Sequence, residues 1–148
     1  MPFSIDMLAI GKAKDAYELD AFLRYKRRLP WNITLHELPS AKTAKQEAEF
    51  YLKRLDPASF FVALDERGKG LSSLQFSDML KRQMLDARRV SFIIGGADGL
   101  DKALVRRADC VLSFGNMTWP HMLVRVMLIE QIYRAYSLMH GHPYHRSG

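Results

Sequence analysis

Three short segments hold the residues whose types and spacing could do chemistry. Gly95 and Gly96 open the run GGADGL, Gly115 to Pro120 form GNMTWP just ahead of His121, and HPYHR occupies positions 142–146. Paired glycines after a buried strand let the backbone approach a flat ligand closely. Neither glycine segment is a phosphate fingerprint, because GGADGL is not G-x-G-x-x-G in a first βα unit and is not a Walker loop. The two common nucleotide-binding readings are therefore disfavoured. His140, His142 and His145 could suggest a metal, but no carboxylate or thiol accompanies them, and no metal is expected. The single cysteine, Cys110, precedes Val111 and Leu112 and reads as a small core residue rather than a nucleophile. One cysteine makes no intrachain disulfide, which suits a reducing cytosol.

The rest of the chain bounds what partners these residues could meet. With 148 residues, 48% hydrophobic and 26% charged, the expectation is one soluble domain over 1–148. No stretch of eighteen apolar residues offers a membrane span, and MPFSIDMLAIGK has no basic region ahead of an apolar one. Neither a membrane nor a secretory route is expected, and the location is read as cytoplasmic. The net charge of +6 favours polyanions, since neutralising phosphates releases counterions. Basic residues cluster at Arg24, Lys26, Arg27 and Arg28, at Arg88 and Arg89, and at Arg106 and Arg107. Each cluster also reads as a solvated helix face. Charge alone names no reaction.

The elements that must position these residues follow from periodicity. Ser4 to Ile10 reads as a strand ended by Gly11, and Ala16, Leu19, Phe22 and Leu23 predict a helix that Pro30 stops. Ile33, Leu35 and Leu38 suit a strand, and Ala44, Ala48, Tyr51, Leu52 and Leu55 a helix. Phe60 to Leu64 is an unbroken apolar run, as in a strand covered on both faces, and DERGKG after it reads as a polar turn. Ser72 and Gln75 have capping-box spacing ahead of a stripe of Phe76, Met79, Leu80, Met84 and Ala87. Val90 to Ile94 predicts a strand, Asp101 to Ala108 a short helix, Val111 to Phe114 a strand, and Met122 to His140 a last helix. This alternation implies an α/β fold with a mainly parallel sheet flanked by helices. Ligands then settle at the carboxyl ends of strands, where Leu64, Gly95 to Leu100 and Gly115 to Pro120 all fall. The last helix has almost no polar face, so a second subunit is expected to cover it.

Six stretches carry a resemblance that spans nearly the whole chain: YKRRLP, ELP, FFVALDERGKGLSS, FIIGGADGL, PHMLVRVMLIEQIYRAYS and HPYHR. In order and spacing they resemble the ribosomal large-subunit pseudouridine methyltransferase H family, a minimal branch of the SPOUT methyltransferases. That resemblance implies a C-terminal deep trefoil knot, with knot and cofactor site over roughly 90–125 and the last helix and tail over 122–148. It implies a homodimer that binds S-adenosyl-L-methionine in the knot. It also implies methylation at N3 of a pseudouridine in helix 69 of 23S rRNA, presented by the assembled ribosome.

Carried over by position, the cofactor contacts implied are Leu64, Gly96, Gly115, Asn116, Met117, Thr118, Trp119 and Pro120. Loop backbone would hold the adenine, Leu64, Met117 and Trp119 would offer faces to it, and Gly96 would keep space clear. On apolar character alone, Met117 and Trp119 equally suit ordinary core. Ala97, Asp98, Met122 and Trp119 depart from the family's usual Pro, Glu, Pro and aliphatic residue. Methyl transfer from a sulfonium needs alignment, a group to take the imide proton, and donors for the flanking carbonyls. His121, Arg125, Tyr144, His145 and Arg146 are the candidates. His145 is read as base or base-positioning group, Arg125 and Arg146 as holding phosphate or pyrimidine carbonyls, Tyr144 as stacking on a base, and His121 as orienting the loop. The blander readings are that Arg125 pairs with an acid of a partner subunit and that Glu130 and Arg134 form an i,i+4 ion pair. The tail is expected to order only on the other subunit or on RNA. Two other classes compete: a ribosome-associated factor that binds the cofactor without turnover, and a small-molecule enzyme on a dinucleotide-type sheet.

Overall fold

Alternating burial along the first strand sets the architecture. In the computed structural model, which describes residues 2–96 and 98–146, β1 (Ser4–Ile10) sends Ile5, Met7 and Ala9 to one side and Leu8 and Ile10 to the other. Both sets are buried, so the strand must be covered on both faces. The remaining elements follow in order: α1 (Ala16–Lys26), β2 (Asn32–Leu38), α2 (Ala44–Arg54), β3 (Phe60–Gly70), α3 (Ser73–Leu85), β4 (Val90–Ile94), α4 (Lys102–Arg106), β5 (Cys110–Ser113) and α5 (His121–Met139). The five strands form one parallel sheet ordered β2-β1-β4-β3-β5. The expected α/β class holds, with boundaries within a few residues. One core lies under α1, α3 and α5, and the other under α2 and α4.

Local chemistry explains the ends of these elements. Ser72 accepts from Gln75 N while Gln75 Oε1 accepts from Ser72 N, the reciprocal capping box that its spacing predicts. Asp101 caps α4 by accepting from Ala103 N and Leu104 N. Cys110 is buried at the start of β5, as a small core residue should be.

Two expectations change. The run DERGKG is not a free turn: β3 continues through it and pairs again with β5 at Lys69 and Gly70, after an irregularity between Leu64 and Lys69. Its residues are polar because β5 is an edge strand and this stretch lies on the surface. At Gly68 a Cβ would stand 2.6 Å from Val111 O, so the chain can cross β5 there only as glycine. The apolar surround of α5 also has an intramolecular cause, since the helix packs against α1, α3 and the sheet. In its first turns Leu123, Val126 and Met127 remain only partly covered.

Candidate active site at the carboxyl ends of β3, β4 and β5

The loops that leave β3, β4 and β5 enclose a cleft of about 830 Å³. Its floor is the turn after β4, where Gly99 N donates to Gly96 O at 3.0 Å and Gly99 takes φ +76°. A Cβ at Gly95 would meet Gly99 C at 2.9 Å and Leu100 Cγ at 3.1 Å. At Gly96 the same atom would point at Ile10, 3.5 Å away, at ordinary contact distance. Gly95 is therefore the glycine that the close turn requires, and the expectation that Gly96 keeps ligand space clear is corrected: its open side faces the core. Ala97 lies outside the described residues.

The outer wall is the segment after β5. Gly115, at φ +119°, turns the chain there. Ser113 Oγ accepts from Gly115 N at 3.0 Å and lies within donating reach of Glu66 O at 3.1 Å. Thr118 Oγ1 donates to Glu66 Oε2 at 3.0 Å. The β3 extension and the β5 loop are thus fastened together. Met117 and Trp119 are 74% and 40% exposed, so neither is core, and both line the cleft. Of the residues carried over as cofactor contacts, Leu64, Gly96, Gly115, Met117, Thr118, Trp119 and Pro120 line it, whereas Asn116 is exposed on the loop and does not. Sequence reasoning places Asp65 beside Leu64 at the strand end that meets the site, but it missed Glu66 and Arg67, because a polar run read as a turn hides its return to the edge strand.

The charge of the cleft is specific. Asp65 accepts from the backbone N, Nε and Nη2 of Arg67 at 2.9 to 3.1 Å. Chiefly through the Arg67 side chain, its carboxyl is held below the usual carboxylate range. With Arg67 neutralised in this way, Glu66 and Asp98 leave the lining acidic. A pyrophosphate would be repelled there, and a cationic group would be favoured. The N-terminus of α5 opens on the same cleft through His121 and Val124, with Pro120 at its cap and no side chain closing it. Its free N–H groups suit a carboxylate. Among the described residues, no group of three His, Cys, Asp or Glu side chains is placed to hold a metal.

One turn into α5, Arg125 is 3% exposed and faces inward. It donates to Glu37 Oε2 at 2.7 Å, to Ile10 O at 2.9 Å and to Gly11 O at 2.7 Å. The expectation that Arg125 holds phosphate or a pyrimidine carbonyl does not fit this burial. Its acid is Glu37 of the same chain, and its place is that of a positioning residue behind the cleft.

The tail lies at the far end of α5. Glu130 and Arg134 form the expected i,i+4 pair at 2.7 Å, and Arg134 Nη1 meets His145 Nδ1 at 3.1 Å. Tyr144 packs edge-on against Tyr133, and its hydroxyl reaches Tyr25 Oη and Glu130 Oε1, each at 3.3 Å. Desolvation first, then the Tyr25 hydroxyl and the Glu130 charge, push the Tyr144 phenol well above its ordinary value. It stays a donor. Tyr144 and His145 thus find contacts on their own chain. Arg146 is exposed. From His121 to Arg134 the helix rises about 20 Å, so His121 stands at the cleft while Tyr144, His145 and Arg146 do not reach the same one.

Comparison with known proteins agrees with this arrangement. A family model described as "Predicted SPOUT methyltransferase" matches residues 3–145. The ribosomal RNA large subunit methyltransferase H of Paramagnetospirillum magneticum is 47% identical over 146 residues, covering 93% of this chain and 95% of that protein. Its counterpart in Gluconacetobacter diazotrophicus is 44% identical over 147 residues, covering 96% and 97%. The fold is also similar to that of a protein described as a probable methyltransferase from Bordetella pertussis Tohama I, with TM-score 0.62 at 9% identity over 90% and 96% of the two chains. It is similar as well to the SpoU methyltransferase AviRb of Streptomyces viridochromogenes, solved with the cofactor AdoMet, with TM-score 0.51 at 13% identity over 90% and 58%. The chain belongs to the SPOUT methyltransferases, in the family of the ribosomal RNA large subunit methyltransferase H proteins.

Proposed function

We propose that the protein transfers a methyl group from S-adenosyl-L-methionine to ribosomal RNA of the large subunit, working in the cytoplasm as a homodimer. The finer target is N3 of a pseudouridine in helix 69 of 23S rRNA within the assembled ribosome. The observation that carries the reading is the acidic, glycine-floored cleft at the carboxyl ends of β3, β4 and β5. Glu66 and Asp98 suit a sulfonium, the α5 N-terminus suits an amino-acid carboxylate, and Leu64, Leu100 and Trp119 offer apolar cover to a base. Membership of the SPOUT methyltransferases supports a knotted passage of the chain into α5. The names of the relatives support rRNA as substrate.

When bound, the cofactor supplies an electrophilic methyl on sulfur. The chain's residues must then align the target nitrogen and take its imide proton. In this reading His145 is the base through Nδ1, the atom to which Arg134 donates and which it must release, since the neutral ring then carries its hydrogen on Nε2, and Tyr144 remains a donor for a flanking carbonyl. Arg146 is exposed and suits phosphate, and His121 orders the cleft mouth. Because the tail stands about 20 Å along α5 from its own cleft, it serves the cleft of a second copy. The partly covered Leu123, Val126 and Met127 offer that copy an apolar strip.

Nucleoside mass spectrometry of 23S rRNA from cells with and without the gene tests the reading. Loss of one methylated pseudouridine is expected on deletion. Unchanged rRNA together with tight cofactor binding would leave a binding factor without turnover. Binding of a dinucleotide in place of S-adenosylmethionine would favour a small-molecule enzyme.

A further inference from the structure

Behind the tail lies a side chain that the reaction as described does not use. After α1 ends at Lys26, Arg28 N donates to Tyr25 O and Leu29 N to Lys26 O, each at 3.1 Å. Leu29 and Trp31 are buried on either side of Pro30, so the backbone that follows Arg28 is anchored in the core. The side chain then lies back across two rings, with Cζ 5.5 Å from the Tyr25 centroid and 5.6 Å from that of Tyr133. Arg28 is exposed and has no carboxylate partner among the described residues. Arg24 is tied to Asp20 and Arg134 to Glu130, so the contrast is local. Tyr25 also touches Tyr144, which places Arg28 in one packed cluster with the tail that carries His145.

A planar cation that is already oriented, open on its outer face and unpaired is built to receive a phosphate through its fork of donors. We propose that Arg28 is an RNA-positioning contact that binds a backbone phosphate beside the nucleotide presented to His145. The inference rests on the RNA reading above and assigns it a residue outside the cleft and tail. Tyr25 and Tyr133 limit the guanidinium's freedom before RNA arrives, so less is lost on binding than for a mobile surface arginine.

Direct binding to purified ribosomes, followed across a salt series, tests this without requiring turnover. Arg28→Ala should bind about tenfold more weakly, and its log affinity against log salt should be shallower by about one counterion. Arg28→Lys should keep the salt slope and lose part of the affinity, since charge remains while the planar fork is gone. Affinity for S-adenosylmethionine and the melting temperature should be unchanged in both. Unaltered ribosome affinity and salt slope in Arg28→Ala would overturn the proposal, as would a loss accounted for by a lowered melting temperature. Should the wild type bind ribosomes but transfer no methyl, the proposed reaction fails, while ribosome binding by the two variants still decides the Arg28 contact.

Discussion

Arg125 and Glu37 meet at 2.7 Å between α5 and the end of the edge strand β2. Arg125 also bonds the carbonyls of Ile10 and Gly11, so one guanidinium ties the helix after the cleft to the carboxyl ends of β1 and β2. Glu37 in turn accepts from Ala13 N at 2.7 Å, which carries the connection into the segment leading to α1.

Arg125→Met should therefore destabilise the protein by about 3 kcal/mol, because it strands a partly buried carboxylate and two carbonyls. Urea denaturation reads the loss directly. A variant as stable as the wild type would mean that water replaces the arginine without cost. Arg125→Lys, which keeps the charge but cannot reach three acceptors, should fall between the two.

The glycine pair gives opposite expectations for neighbouring positions. Gly95→Ala puts a methyl 2.9 Å from the Gly99 backbone and must push the floor of the cleft, so cofactor affinity should drop about tenfold or more. Gly96→Ala meets Ile10 at normal contact and should bind nearly as the wild type does. Isothermal titration with S-adenosylmethionine separates them, and equal losses at the two positions would contradict the geometry.

The proposed homodimer, with sites shared between its two copies, can be tested with mixed dimers. Gly95→Val and His145→Ala should each be inactive alone. When they are unfolded and refolded together, half of the dimers are mixed and each has one intact site if the tail works in trans, so about a quarter of wild-type turnover should return. No recovery would place the tail on its own chain's cleft.

Burial pushes the Cys110 thiol up, with nearby Asp109 adding to that and Lys69 opposing it. In the unfolded chain the thiol ionises near its ordinary value of about 8.5, so above that pH the unfolded state binds fewer protons than the folded one. Stability should then fall as pH rises through that range, and Cys110→Ala should remove this part of the slope. Denaturation midpoints between about pH 7 and 10 would show it. Native Cys110 should also react slowly with thiol reagents at neutral pH, since the thiolate is the reactive form.

The capping box offers a test of local structure. Ser72→Ala removes the acceptor for Gln75 N and should cost about 1 kcal/mol, with no change in cofactor affinity. Matched denaturation and titration of the same preparation check both halves.

Much of this was legible without coordinates, for reasons that are local. The apolar runs of β3 and β4, the Ser72 and Gln75 spacing and the helical stripe of α3 depend on near-neighbour chemistry, which periodicity reports. The order of strands and helices implied a parallel sheet and placed three loops at its carboxyl ends. What a side chain meets across the fold is a different kind of fact. Arg125 reads as a free cation on an apolar helix until Glu37, 88 residues away in sequence, is seen beside it. The run DERGKG reads as a turn because its partner strand is formed by residues more than forty positions later. Gly96 cannot be told from Gly95, since the direction in which each lacks a side chain is set by Ile10 on one side and Gly99 on the other. Sequence alone determined the elements and the family. Tertiary structure decided which charges are already spent inside the chain and which remain to meet RNA, because pairing between distant residues depends on how the sheet brings them together.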